Sequence, residues 1–105
     1  MDEYAWPTGP EVPAADAVRS NWAATVAALP VGTRITGEVV GRQRFGVFIR
    51  IDGVPNARAL AEITAMPHGM DLPALGASVS GEVIWHAAHN HQVKVRLDEW
   101  AAADK

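Results

Sequence analysis

Gly41-Arg42-Gln43-Arg44-Phe45-Gly46-Val47-Phe48-Ile49-Arg50 places two aromatics, three arginines and a turn glycine within what reads as a β-hairpin. Strand side chains alternate with a period of two, which sends Val47, Ile49 and Ile51 to one face and Phe48 and Arg50 to the other. With the branched set in a core, an aromatic ring and a guanidinium stand side by side on the surface. That pairing suits stacking on bases and holding phosphates.

Working outward, Arg34 to Gln43 also alternates. Ile35, Gly37, Val39 and Gly41 fall on one face, and Arg34, Thr36, Glu38, Val40 and Arg42 on the other. The inward glycines predict a strand that bends sharply, as small barrels require. Phe45-Gly46 makes a tight connection to a second strand, Val47 to Ile51. Asp52-Gly53 is a turn signal, and Ala57 to Ile63 predicts a third strand. Residues 64–77 hold Pro67, Gly69, Pro73 and Gly76, which predicts a loop with at most a short helical turn. Ser78 to His86 and Gln92 to Asp98 predict strands four and five. Five short strands with a break after the third predict an all-β fold, a five-stranded closed barrel of the OB type, with an SH3-like barrel as the competitor.

Ahead of the barrel, residues 1–13 carry Pro7, Gly9, Pro10 and Pro13 and are expected to form a flexible arm. Tyr4 and Trp6 lie in that arm, and either has the chemistry to dock onto the body or a partner. Over 14–29, Val18, Trp22, Val26 and Leu29 form one apolar stripe at helical spacing, bounded by Pro13 and Pro30. This added N-terminal α-helix is expected to pack on the body, the alternative being a self-association or protein-partner interface. The barrel spans 30–98 and a C-terminal tail 99–105, in which Trp100 is expected to pack against the barrel. Trp85 is expected in the core or at the barrel rim.

The chain of 105 residues is one domain, 49% hydrophobic and 20% charged, an ordinary globular composition. No apolar run approaches the roughly 18 residues of a membrane span, so no membrane partner is expected. The acidic start Met1-Asp2-Glu3 does not resemble a secretory leader, and no cysteine is present. The expectation is a cytoplasmic protein without disulfide or thiolate chemistry. Net charge is −3 overall, but residues 30–98 carry seven Lys or Arg against six Asp or Glu. Positive charge concentrates around residues 42–50, far short of a strongly basic polyanion binder.

The run Leu29-Pro30-Val31-Gly32-Thr33-Arg34-Ile35-Thr36-Gly37-Glu38-Val39-Val40, followed by Phe45-Gly46-Val47-Phe48-Ile49, resembles the opening of an S1 domain, G-x-x-x-x-G-x-V followed by F-G-x-F-V. Ala59-Leu60-Ala61-Glu62-Ile63-Thr64 is similar to that family's G-L-V-H-I-S. Leu75-Gly76-Ala77-Ser78-Val79 with Glu82-Val83-Ile84 follows its x-G-x-x-V-x-x-x-V, and Val93-Lys94-Val95-Arg96-Leu97 stands in place of its closing R-I-x-L-S. The resemblance implies an OB barrel that binds RNA. The family's two surface aromatics match Phe45 and Phe48. Its histidine is replaced by Glu62, its aspartate near the end of strand four falls around His86 or Ala87, and its arginine opening strand five falls on Gln92.

These readings converge on a candidate RNA-binding face. Phe45 and Phe48 are expected to stack bases, Arg42, Arg44 and Arg50 to contact phosphates, and Lys94, His89 and His91 to border the site. Arg96 shares the outward parity of Lys94. The competing reading has Phe45 plugging the barrel end and Phe48 covered by the N-terminal helix. His86, His89 and His91 form an H-x-x-H-x-H series that tempts a zinc or copper reading. It lies in an expected hairpin loop with no neighbouring carboxylate or cysteine, so neither metal nor cofactor is expected. No nucleophile–base pairing or phosphate-cradling glycine loop supports catalysis. The expected function is non-catalytic, weak and little-selective binding of single-stranded RNA, with single-stranded DNA as a secondary partner. The alternative is an S1-like barrel kept as a protein-interaction module.

Overall fold

A computed structural model describes residues 4–7 and 12–103. Most of the expected arm, residues 1–3 and 8–11, and the end of the tail, 104–105, lie outside the described residues. Two short helices, α1 (Ala15–Ser20) and α2 (Trp22–Ala28), precede the strands β1 (Arg34–Gln43), β2 (Gly46–Ile51), β3 (Ala59–Glu62), β4 (Ser78–Ala87) and β5 (Gln92–Leu97). A single 3-10 turn, Ile63–Ala65, follows β3, and a last helix, α3 (Asp98–Ala103), follows β5. The strands close in the order β1-β2-β3-β5-β4, all pairs antiparallel except β3 with β5. This is the five-stranded OB barrel the sequence predicts.

The interior holds the branched residues of the alternating pattern: Ile35 and Val39 from β1, Val47, Ile49 and Ile51 from β2, Val83 from β4, and Val93, Val95 and Leu97 from β5. Gly37 is required by closure, because a Cβ there would stand 2.3 Å from the Arg50 carbonyl oxygen. Trp100 of α3 is wholly buried in the same core, as the tail reading anticipates. Its indole N–H finds no hydrogen-bond partner among the described residues. Arg34 of β1 and Ser80 of β4 both bond the Asp98 carboxylate at the start of α3, fastening that helix to the barrel wall. Those two bonds, Arg34 first, hold the Asp98 carboxyl below its ordinary range, and the same pairing raises Arg34.

Residues 14–29 form two helical pieces rather than one. Asn21 separates them: its backbone leaves the helical region at φ −99° and ψ 6°, and its side-chain amide donates to the Ala17 carbonyl at 2.8 Å beside the helical backbone bond at 3.1 Å. The helical segment docks at one end of the barrel. Leu29 joins the core, Trp22 packs against it, and the Trp22 ring meets His86 and His91 edge-on at 6.3 and 5.5 Å. His86 Nε2 lies 2.6 Å from the Leu29 carbonyl oxygen. His91 adopts a φ of 56°, a left-handed turn conformation that aims its ring at Trp22. The helices therefore do not cover Phe48.

Candidate nucleic-acid interface

Two bulges decide which side chains reach the outer face. In β1 the pairing with β2 shifts between Val39 and Gly41, so Val39 opposes the inward Ile49 while Gly41 opposes the outward Phe48. Parity flips at Val40. Gly41, expected inward, turns outward, and Arg42, expected outward, pairs with the buried Val47. In β4 the pairing with β5 shifts between Val83 and Trp85, and Trp85 comes to oppose the outward Lys94. One outward row then crosses the sheet through Gly41, Phe48, Leu60, Lys94 and Trp85. A neighbouring outward pair is Glu38 with Arg50.

The arm lies on this row. Ala5 and Arg42 exchange both backbone hydrogen bonds, 2.8 and 2.7 Å, so Ala5 extends the sheet along β1 beyond its pairing with β4. The chain then crosses Gly41, where a Cβ would come within 2.7 Å of the Pro7 ring. Only glycine admits that crossing. Trp6 lands on the hairpin aromatics: its ring lies 5.9 Å from Phe45 and 6.0 Å from Phe48, and the two phenyl rings stand edge-on at 5.9 Å. Phe48 is in consequence only 7% exposed, against 59% for Trp6 and 40% for Phe45. The exposure expected of Phe48 has passed to Trp6, and the cover comes from the arm instead of the helix.

The cations have divided roles. Arg42 donates to the Pro73 and Leu72 carbonyls at 3.1 and 3.3 Å and lies over the Tyr4 ring, so it ties the 64–77 loop and the arm to the barrel. Arg44 is exposed in the β1–β2 turn and also faces Tyr4. Arg50 pairs with Glu38 at 2.8 Å, and Lys94 pairs with Glu62 at 3.2 Å while donating to Gln92 at 2.9 Å. Arg58, just before β3, makes no ion pair or side-chain hydrogen bond among the described residues. It lines a cleft of about 320 Å³ with Trp6, Pro7, Phe48, Arg50 and Gln92. His89 is exposed in the β4–β5 loop, and His91 is drawn to Trp22.

The structure thus gathers Phe45, Phe48, Arg50 and Lys94 on one outer face and adds Trp6 and Arg58. Arg42 sits at the barrel end and His91 against α2. Trp6 was legible only as an aromatic in an arm, and no periodicity marks where a short arm docks. Arg58 precedes the core-facing Ala59 and so has outward parity, a signal that was available. Trp85 is 65% exposed, contrary to the expected core or rim position, because the β4 bulge reverses its parity. Among the described residues no three histidines or carboxylates converge on a common point.

A scan against family models and a sequence search of curated proteins return no match. Solved structures do match. The single-stranded RNA complex of Mycoplasma genitalium RNase R superposes with a TM-score of 0.62 at 18% identity, covering 74% of this chain and 15% of that one. GSP13 from Bacillus subtilis gives 0.54 at 26% identity, covering 73% and 60%. The a/eIF2alpha–aDim2p–rRNA complex from Pyrococcus horikoshii gives 0.55 at 17% identity, covering 70% and 49%. The chain therefore spans less than two thirds of each of these chains. The barrel is an S1-like OB fold, the architecture shared by these structures, two of which contain RNA. No helix among the described residues is long and apolar enough to cross a membrane.

Proposed function

We propose that this chain is a non-catalytic, cytoplasmic RNA-binding protein that holds single-stranded RNA on the outer face of β2, β3 and β5. The observation that carries the reading is the three-ring cluster of Trp6, Phe45 and Phe48, with two exposed rings, beside the guanidinium of Arg58, which has no ion pair among the described residues. Trp6 and Phe45 stack bases, and Phe48 supports them from below. Arg58 and Arg44 contact phosphates, with Arg50, Lys94 and His89 at the border. Stacking accepts every base, so selectivity is low, and single-stranded DNA of the same length binds comparably. Binding is weak because Glu38 and Glu62 already neutralise Arg50 and Lys94. Fluorescence anisotropy with a labelled oligouridylate of ten nucleotides tests this. The reading expects saturable binding at low salt that weakens as salt rises.

Those two ion pairs also favour a second reading, a barrel that recruits a protein through the same aromatic cluster. A folded chain that binds no RNA at high micromolar protein in low salt would leave that reading in place of the first.

A further inference from the structure

We propose that Trp85 is a second base-stacking position, so that one RNA strand runs across the barrel from the Trp6–Phe45 cluster over Lys94 to β4. The inference rests on the RNA-binding reading above and specifies the path of the strand. Register carries it. Phe48 opposes Leu60, Leu60 opposes Lys94 and Lys94 opposes Trp85, so all four share one outward row on β2, β3, β5 and β4. Trp85 is the most exposed large apolar side chain among the described residues, at 65%. Its indole makes no ring contact among the described residues, unlike Trp22 and Trp6. A tryptophan near the end of a paired strand that leaves most of its surface in solvent contributes little to the core, and a stacked base is a partner that would cover it.

The charges fit a polyanion between the two aromatic stations. Lys94, paired with Glu62, stands directly opposite Trp85, and Arg96, paired with Glu82 at 3.3 Å, lies two residues further along β5 with the same outward parity, so a bound phosphate would compete with a carboxylate for each cation. Three inter-strand steps of about 4.8 Å separate the Phe48 and Trp85 backbones, about 14 Å of arc around the closed barrel and more at the outward side chains. At an advance of about 3.4 Å per stacked nucleotide that is at least about four nucleotide steps, within the range of a single OB barrel. The β4 bulge is the device that makes the path possible. Without the shift between Val83 and Trp85, the indole would follow Val83 inward.

The indole N–H signals of the four tryptophans in a nitrogen-15 correlation spectrum provide the test. Phenylalanine variants of Trp6, Trp22 and Trp85 assign three of them, and the buried Trp100 follows by elimination. Titration with the ten-nucleotide oligouridylate should move the Trp6 and Trp85 signals with one apparent Kd and leave Trp22 and Trp100 in place. Trp85→Ala, which removes an exposed side chain and keeps the fold, should weaken binding by about 5- to 160-fold. Movement of Trp6 with a stationary Trp85, or a Trp85→Ala variant with unchanged affinity, would overturn the path while sparing the RNA reading. A spectrum that RNA leaves wholly unchanged would remove both. Movement of Trp85 with protein concentration alone would assign the indole to contacts between copies and overturn the proposal.

Discussion

Glu62→Gln should strengthen RNA binding. Glu62 stands on the candidate face where the resembling family carries a histidine, and its Oε1 lies 3.2 Å from Lys94 Nζ. Two effects add. Removing the carboxylate removes its repulsion of a bound phosphate. At about 6 Å that repulsion is about 0.7 kcal/mol in a water-like dielectric and about 2.8 kcal/mol at an effective dielectric of about 20. Screening over a Debye length of about 8 Å roughly halves both figures. The gain is then about 0.3–1.3 kcal/mol, or about 2- to 10-fold in Kd. The substitution also frees Lys94 to meet a phosphate, which should steepen the slope of log K against log salt by about 0.7. The cost to the fold is at most about 1 kcal/mol, because Glu62 remains partly solvated. Anisotropy titrations of both proteins at several salt concentrations read affinity and slope together. Unchanged or weaker binding with an unchanged slope would show that no phosphate passes near Lys94.

The arm and the core offer further checks. Gly41→Ala should displace the arm, because its Cβ would overlap the Pro7 ring. Amide exchange should accelerate at Ala5 and Arg42, whose reciprocal bonds depend on the docking, and RNA affinity should fall with the loss of Trp6; continued protection of both amides would refute this. Trp100→Ala should destabilise the barrel by about 3–5 kcal/mol in denaturant unfolding, the usual cost of emptying a large aromatic site, and a loss below about 1 kcal/mol would contradict the core placement. Asp98→Asn should lower stability at neutral pH. The native carboxyl of Asp98 is depressed, so its contribution is present above the unfolded carboxyl range and disappears as pH falls through the folded value. Unfolding curves of wild type and Asp98→Asn should therefore converge at acid pH, and a gap that persists there would refute the Arg34–Asp98 account.

The barrel was legible because its strands obey a period of two and its turns carry Gly, Pro and Asp at their boundaries. Arg34–Gln43 is found as predicted, and β2, β4 and β5 differ from expectation by one residue at an end. The site was legible only where parity held. Phe48 and Arg50 turn outward as expected, but a bulge at Val40 turns Arg42 away and one before Trp85 turns that indole out. A bulge adds one residue to one strand with little change in composition, so alternation alone does not locate it. Gly41 was read as a bending glycine, whereas it makes room for Pro7. Tyr4-Ala5-Trp6-Pro7 docks on the edge of β1 near Arg42, which stays open because β4 pairs only with Arg34–Glu38, and no alternation in the sequence marks that edge.

The central claim is that Trp6 and Phe45 form the RNA-stacking surface. Its most direct test compares wild type with the Trp6→Ala/Phe45→Ala double variant in anisotropy titrations at low salt, with folding verified for both. Wild type should bind the ten-nucleotide oligouridylate saturably, and the double variant at least about 10-fold more weakly, given about 1–3 kcal/mol per stacked base. Equal affinity of the two proteins would contradict the account.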